Sequence, residues 1–232
     1  MSTETDWNQP TEYEKWYDSS LGKAYGTSLN RKLSNWLPEH PEGWVVDIGC
    51  GPGLLLEQLM PRASRAIAVD CSPEMSHRAK YRFEQADLPY RVITASADTL
   101  PFPDQFADII LTTNCLEFVD HPGLAFQEIS RVLRDGGTAI VGVLNRNSIW
   151  ETTRSLIQPL SSAAYYDGNF YTKDELRRYA GQSGLTIDSM ETAVHFPPLG
   201  PGPFASLYDA LDQMDAPLFT GGVILCRATK SS

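Results

Sequence analysis

Short apolar strands alternating with amphipathic helices predict an α/β fold built on a doubly wound sheet of about seven strands. Three observations carry this. "VVDI" runs directly into a glycine-rich turn ending at Gly53, and "LLLEQLM" follows as a helix. "FADIILTT" is apolar almost throughout, as a strand covered on both faces must be. "HPGLAFQEISRVL" then puts Ala125, Ile129, Val132 and Leu133 on one helical face.

The opening stretch through Leu37 reads as helical and is dense in aromatics: Trp7, Tyr13, Trp16, Tyr17, Tyr25 and Trp36. "PEHPEG" breaks it ahead of a first strand, Trp44 to Ile48. "AIAVD" is a second strand closing at Asp70, and "SPEM" opens the next helix with Ser72 as N-cap and Pro73 in the first turn. "RVITA", "FADIILTT" and "TAIVGVL" follow as strands, the last after a "DGG" that ends the preceding helix. "TKDELRRYAGQSG" carries a capping box, Thr172 with Glu175, and a closing Gly184. "LTIDSMETAVHF" and "FTGGVILCRA" read as the last two strands, one of them antiparallel to the rest. Between them "PPLGPGPFASLYDALDQM" is a Pro/Gly loop leading into a short helix. The chain therefore divides into an N-terminal helical cap (1–40), a ligand-binding core (41–145) and a substrate-side region (146–232), all within one domain.

The 232 residues and 42% hydrophobic content suit one sizeable core. A net charge of −10 repels phosphate backbones, and no Lys/Arg cluster offsets it, so nucleic acid is disfavoured as a partner. Cys50, Cys71, Cys115 and Cys226 include no C-x-x-C pair, which argues against a metal site or a disulfide framework and for reduced, mostly buried thiols. "MSTETDWNQP" is too acidic and polar for a signal peptide, and no apolar run is long enough to span a membrane; the expected location is the cytoplasm.

The chemistry sits at the turn. Gly49-x-Gly51-x-Gly53 lets the backbone fold tightly and lets a ligand approach it. Asp70 closes the next strand about 20 residues on, where an α/β nucleotide site puts a carboxylate on ribose hydroxyls. Asp98, in "SADTLPF" after the third strand, has an acceptor for an exocyclic amine. Taken singly, the glycines are turn chemistry and the two acids are caps; together, in this order, they converge on one crevice.

"VVDIGCGPG", "AVDCSPEM", "ASADTLPFPDQFADIILTTNCLEFVDHPGLAFQEISRVLRDGG" and "VGVLNRNSIW" together resemble the class I S-adenosylmethionine (SAM)-dependent methyltransferases, which have a Rossmann-like sheet. The resemblance is to the small-molecule type, as in ubiquinone, menaquinone and biotin pathways, and spans most of Trp44 to Trp150. "YEKWYDSSLGKAY" is similar to the group's opening more loosely, and the tail only in outline. The resemblance implies SAM as cofactor and S-adenosylhomocysteine as product. It implies that Asp47 orients the loop and the methionyl ammonium, and that Gly49, Cys50, Gly51 and Gly53 pass against the methionyl and ribose parts. Asp70 would hold the ribose diol, Ala97 and Asp98 would meet the adenine edge, and Cys71, Met75 and Thr99 would also bind the cofactor. Asn114 would lie beside the methionyl moiety, with Tyr13, Trp16 or Tyr17 closing over it.

SAM carries a net charge of +1, which suits acids and an aromatic face; a cation–π contact adds about 0.5–2 kcal/mol. Methyl transfer needs mainly alignment. A general base is required only where the acceptor must lose a proton, and His195, His121 and Glu117 are the candidates, His195 first. The aromatic, apolar segments around the cap, 150–170 and 195–214 favour a small-molecule methyl acceptor. The competing classes are a nicotinamide oxidoreductase, an RNA or protein methyltransferase, an arsenic methyltransferase and a non-catalytic SAM-binding module. The first would call for G-x-G-x-x-G, which is absent; the second for a basic face or an N-P-P-Y motif, where "TNCLEF" stands instead; the third for several substrate thiols, whereas two of the four cysteines lie in cofactor loops. No metal is expected.

Overall fold

The computed structural model describes residues 9–39, 41–61, 63, 65–157, 168–198 and 221–231. The short helix expected within 199–220 lies outside them. Seven strands form one sheet in the order β3-β2-β1-β4-β5-β7-β6. They are β1 (Val45–Ile48), β2 (Ala66–Asp70), β3 (Arg91–Thr94), β4 (Ala107–Thr113), β5 (Leu133–Leu144), β6 (Leu185–Ala193) and β7 (Val223–Lys230). β7 runs antiparallel to both β5 and β6, and every other pairing is parallel, so the expected single reversed strand is β7.

The chain winds outward from β1 through β2 to β3, then returns to β4 on the other side of β1. β1 is therefore flanked by Ala66–Val69 of β2 and Ile109–Leu111 of β4, and all four of its residues are buried. In a sheet wound this way the crevice opens at the strand carboxyl ends, where the order reverses. Helices cover both faces. α5 (Pro122–Val132) and α7 (Lys173–Gln182) pack on one core through Ala125, Ile129, Leu176 and Ala180. On the other face, α2 (Ser20–Ser34), α3 (Leu54–Leu59) and α4 (Pro73–Gln85) bury Leu29, Leu33, Leu56, Ala79 and Phe83.

Local signals placed most of the helix ends. Ser72 accepts from Met75 N, and Thr172 with Glu175 forms the reciprocal capping box. The sixth strand ends at Ala193, short of the expected Phe196, and the seventh runs Val223–Lys230; two further boundaries also differ from the sequence expectation. The opening helix is two helices, α1 (Pro10–Asp18) and α2, because Ser19 leaves helical geometry and caps Gly22 N. β5 begins at Leu133 rather than after the glycines: Leu133 pairs with Ala107, and Gly136, at φ 73, carries the irregularity. α6 (Ile149–Ile157) completes the described elements the site uses. Among the described residues, no helix is long and apolar enough to cross a membrane.

Candidate active site

Gly49, Gly51 and Gly53 all hold positive φ, at 73, 52 and 83. At Gly49 the conformation and the space both demand glycine: a Cβ there would stand 2.3 Å from Cys115 Cβ. Gly51 has open space, with only the Tyr13 ring near, at 3.9 Å. Gly53 faces the other way, against Phe83 of α4 at 2.7 Å, so its role is to seat the helix rather than to line the crevice. Gly49 N and Cys50 N donate to Val69 O, which pins the loop to β2. Asp70 completes the loop: Oδ2 accepts from Gly51 N at 2.8 Å and Oδ1 from Ser72 N at 2.9 Å.

Two adjoining cavities open along this loop. One, of about 280 Å³, is lined by Tyr13, Gly49, Gly51, Asp70, Cys71, Met75, Ala97, Asp98 and Asn114, and also by Cys115, Phe118 and Asp120. The other, of about 260 Å³, shares Tyr13 and Gly49 and adds Tyr17, Asp47, Cys50 and Thr113 from the loop side, with Lys23, Gly26 and Asn30 from α2. Besides Gly53, three expected residues lie apart from both. Trp16 packs edge-on to Tyr17 and Tyr25 at 4.9 and 5.4 Å, and Thr99 is exposed beside Asp98. His195 also lines neither. It is buried two residues past β6, with Nε2 3.0 Å from Thr192 Oγ1. Cys71 is exposed, unlike Cys50 and Cys226. Among the described residues no cluster of side chains suits a metal ion.

The charges around the cavities are all of one sign where they are buried. Asp47 is 1% exposed and its Oδ2 has no hydrogen-bond partner. Burial, and then the neighbouring Asp70, push its carboxyl up to about 7. Burial also raises Asp70, against the pull of its two backbone donors. Glu117, on the 3₁₀ turn Leu116–Phe118, is 1% exposed and is pushed up to about 8, again chiefly by burial. None of the three forms an ion pair among the described residues; the exposed Lys23 is the lysine or arginine that lines the second cavity.

Tyr25 is the residue that sequence reasoning passed over. Its hydroxyl donates to Asn114 Oδ1 at 3.0 Å, joining the cap to the end of β4. Asn114 itself sits at φ 54, a left-handed conformation that asparagine tolerates. The helical spacing of Tyr25 signalled only burial, since its partner lies 89 residues away.

The methyltransferase domain family matches residues 46–141. An uncharacterised protein of Methanocaldococcus jannaschii is 30% identical over 171 residues, covering 71% of this chain and 73% of that one. The ubiquinone biosynthesis O-methyltransferase of Aeromonas salmonicida is 26% identical over 196 residues, covering 80% and 82%. Among solved structures, a SAM-dependent methyltransferase of Thermotoga maritima superposes with a TM-score of 0.71 at 22% identity, covering 98% of each chain. A chain from the complex of Haloferax volcanii Trm112 methyltransferase activator with its methyltransferase gives 0.70 at 21%, covering 100% and 99%. The loop, the crevice and these likenesses define a class I SAM-dependent methyltransferase. The chain belongs to that family and is an enzyme of that kind.

Proposed function

We propose that the chain transfers a methyl group from SAM to a small-molecule acceptor, with 1–232 acting as one domain: a cap (1–40), a cofactor core (41–145) and an acceptor side (146–232). SAM supplies a methyl group on a positively charged sulfur. The observation that carries the reading is the unpartnered Oδ2 of Asp47, which lines the smaller of the two cavities. A buried carboxylate oxygen with nothing to bond is costly unless a ligand completes it, and a methionyl ammonium would.

The other residues fit the same ligand. Asp70 stands at the wall of the larger cavity, where it can accept from a ribose diol while holding Gly51 and Ser72. Ala97 and Asp98 line the far end, suited to an adenine edge. Asn114, fixed by Tyr25, borders the methionyl side. Tyr13 and Tyr17 form the aromatic wall contributed by the cap, their rings 5.0 Å apart, and exclude water from the reacting carbon. A small acceptor is favoured over a nucleic acid by the net charge of −10. Titration calorimetry tests the reading. Saturable heat is expected with SAM and S-adenosylhomocysteine and none with NAD or NADP; the reverse pattern would sink it.

A further inference from the structure

We propose that Arg82 is a positioning residue for the methyl transfer: its guanidinium ties the cap to the glycine loop, and its pair with Glu14 is an ionic latch that sets how fast cofactor and product leave. This rests on the methyltransferase reading above and deepens it.

Arg82 lies on α4 and lines neither cavity. Its donors reach three segments: Nε donates to Pro52 O of the glycine loop at 2.9 Å, Nη1 to Glu57 Oε2 of α3 at 2.9 Å, and Nη2 to Glu14 Oε1 of α1. Glu14 takes a second guanidinium on the same carboxylate, with Arg78 Nε 2.9 Å from its Oε1 and Arg78 Nη2 2.8 Å from its Oε2. The side chains of Glu14 and Arg82 are 15% and 20% exposed, against 40% for Arg78. An isolated surface ion pair contributes little; a network with bidentate geometry, sheltered from water, contributes more. Arginine's rigid fork lets one side chain serve all these acceptors, which the single ammonium of a lysine does not.

The place of this network gives it a function. Pro52 stands between Gly51 and Gly53, both at positive φ, and lines the smaller cavity. Tyr13, next to Glu14 in the chain, lines both cavities, and a Cβ at Gly51 would stand 3.9 Å from its ring. α1 buries none of its residues. Trp16 and Tyr17 pack on Tyr25 of α2, and the Glu14 pairs fasten the helix to α4. The seat of α4 against the loop has other support, since Gly53 packs on Phe83 and Asp70 holds Gly51 N and Ser72 N. What Arg82 adds is a link: the guanidinium that supports the Pro52 carbonyl also holds Tyr13 over the loop. Opening the cap to let a ligand pass breaks the Glu14 pairs, and closing it restores the fork around the loop.

The test measures the dissociation rate of S-adenosylhomocysteine from the full chain by surface plasmon resonance. It is run at about 0.1 M and about 1 M NaCl, where the screening length falls from about 10 Å to about 3 Å. Wild type should release the ligand roughly 3- to 10-fold faster at the higher salt. Glu14→Gln should be as fast at low salt as wild type is at high salt, with no further rise. Arg82→Gln should be at least as fast, and faster than Arg78→Gln, which leaves the loop link in place. The two changes Glu14→Gln and Arg82→Gln combined should be no faster than Arg82→Gln alone, because both cut the same link. Arg82→Lys should recover part of the slow release. Glu14 lies on a helix that buries no residue, so its variant reads the latch even where Arg82→Gln folds poorly. A wild-type rate indifferent to salt, a Glu14→Gln rate equal to wild type at low salt, full additivity of the two changes, or equal effects at Arg78 and Arg82 would each overturn the proposal. A wild type that binds neither SAM nor S-adenosylhomocysteine would instead overturn the methyltransferase reading.

Discussion

Replacing Asp47 with asparagine separates the charge of this side chain from its shape. In the empty protein the carboxyl is held at about 7 instead of the ordinary 3.8, first by burial and then by Asp70. The folded chain therefore keeps a proton that the unfolded chain gives up, and stability falls as pH rises across that window, from about 4 to about 7. The full cost above 7 is roughly 4 kcal/mol, at about 1.36 kcal/mol for each factor of ten. Asparagine cannot ionise and escapes it. At pH 8 Asp47→Asn should be more stable than the parent by roughly 1–4 kcal/mol, at 2–4 °C in melting temperature for each kcal/mol. At pH 5 the unfolded parent is mostly ionised while the folded one is not, so only about 1.6 kcal/mol of that cost is present and the gap between the two should be smaller than at pH 8 by roughly 2–3 kcal/mol. Affinity for SAM should move the opposite way: losing a hydrogen bond to a charged group costs about 1.5–3 kcal/mol, or roughly 10- to 150-fold in Kd. Thermal melts from pH 5 to 9, with and without SAM, and calorimetry at pH 8 measure all of this. An asparagine variant that is less stable than the parent at pH 8, or that binds SAM as tightly, would refute the reasoning.

Three further outcomes are expected. Asp70→Ala should weaken SAM binding by roughly 1.5–3 kcal/mol, read by calorimetry; because it also frees Gly51 N and Ser72 N, the empty protein should melt lower, and an unchanged Kd would place the ribose elsewhere. Gly49→Ala should destabilise the fold by about 1–3 kcal/mol or more from overpacking against Cys115, measured by urea unfolding; a neutral effect would mean the loop is free to shift. Trypsin should cut at Lys15 quickly in the empty protein and slowly with S-adenosylhomocysteine, since α1 buries no residue fully and is held by Glu14 pairing with Arg78 and Arg82. Lys32, bonded to Glu191 at 2.8 Å beside Ser28 and Val194, should resist in both states; equal cutting at Lys15 with and without ligand would count against a mobile cap.

That last expectation shows where sequence and structure part. The sequence suggests a closing segment around Tyr13 to Tyr25, because its aromatics outnumber what packing needs. Helical spacing cannot reveal that Ser28, Leu29, Lys32 and Leu33 are already buried in the sheet's second core. The break at Ser19 is legible only as a weak N-cap, so one helix was expected where there are two. The glycine loop, Asp70 and Asp98 were legible because their geometry is local: a strand, a tight turn and the end of the next strand. Glu117 was legible as an acid after β4 but not as a buried one, since its shell comes from Leu144, Gly168 and the cap. Nothing near Glu117 in the chain announces those partners.

The charge balance of the site gives these pieces a common logic. Asp47, Asp70 and Glu117 are each raised by burial, and no positive side chain pairs with any of them among the described residues. Asp70 needs both oxygens for Gly51 N and Ser72 N, but asparagine at 47 and glutamine at 117 would fill their places without the cost of burying ionisable groups. A pocket that keeps its acids uncompensated gains most from a ligand that brings its own positive charge, and the gain grows with pH as the acids ionise. SAM carries one more positive charge than S-adenosylhomocysteine. The same acids would therefore favour the methyl donor over its product, more strongly at pH 8 than at pH 6. Calorimetric affinities for the two at both pH values compare this directly, and a ratio that stays flat or falls with rising pH would remove the electrostatic explanation of the site.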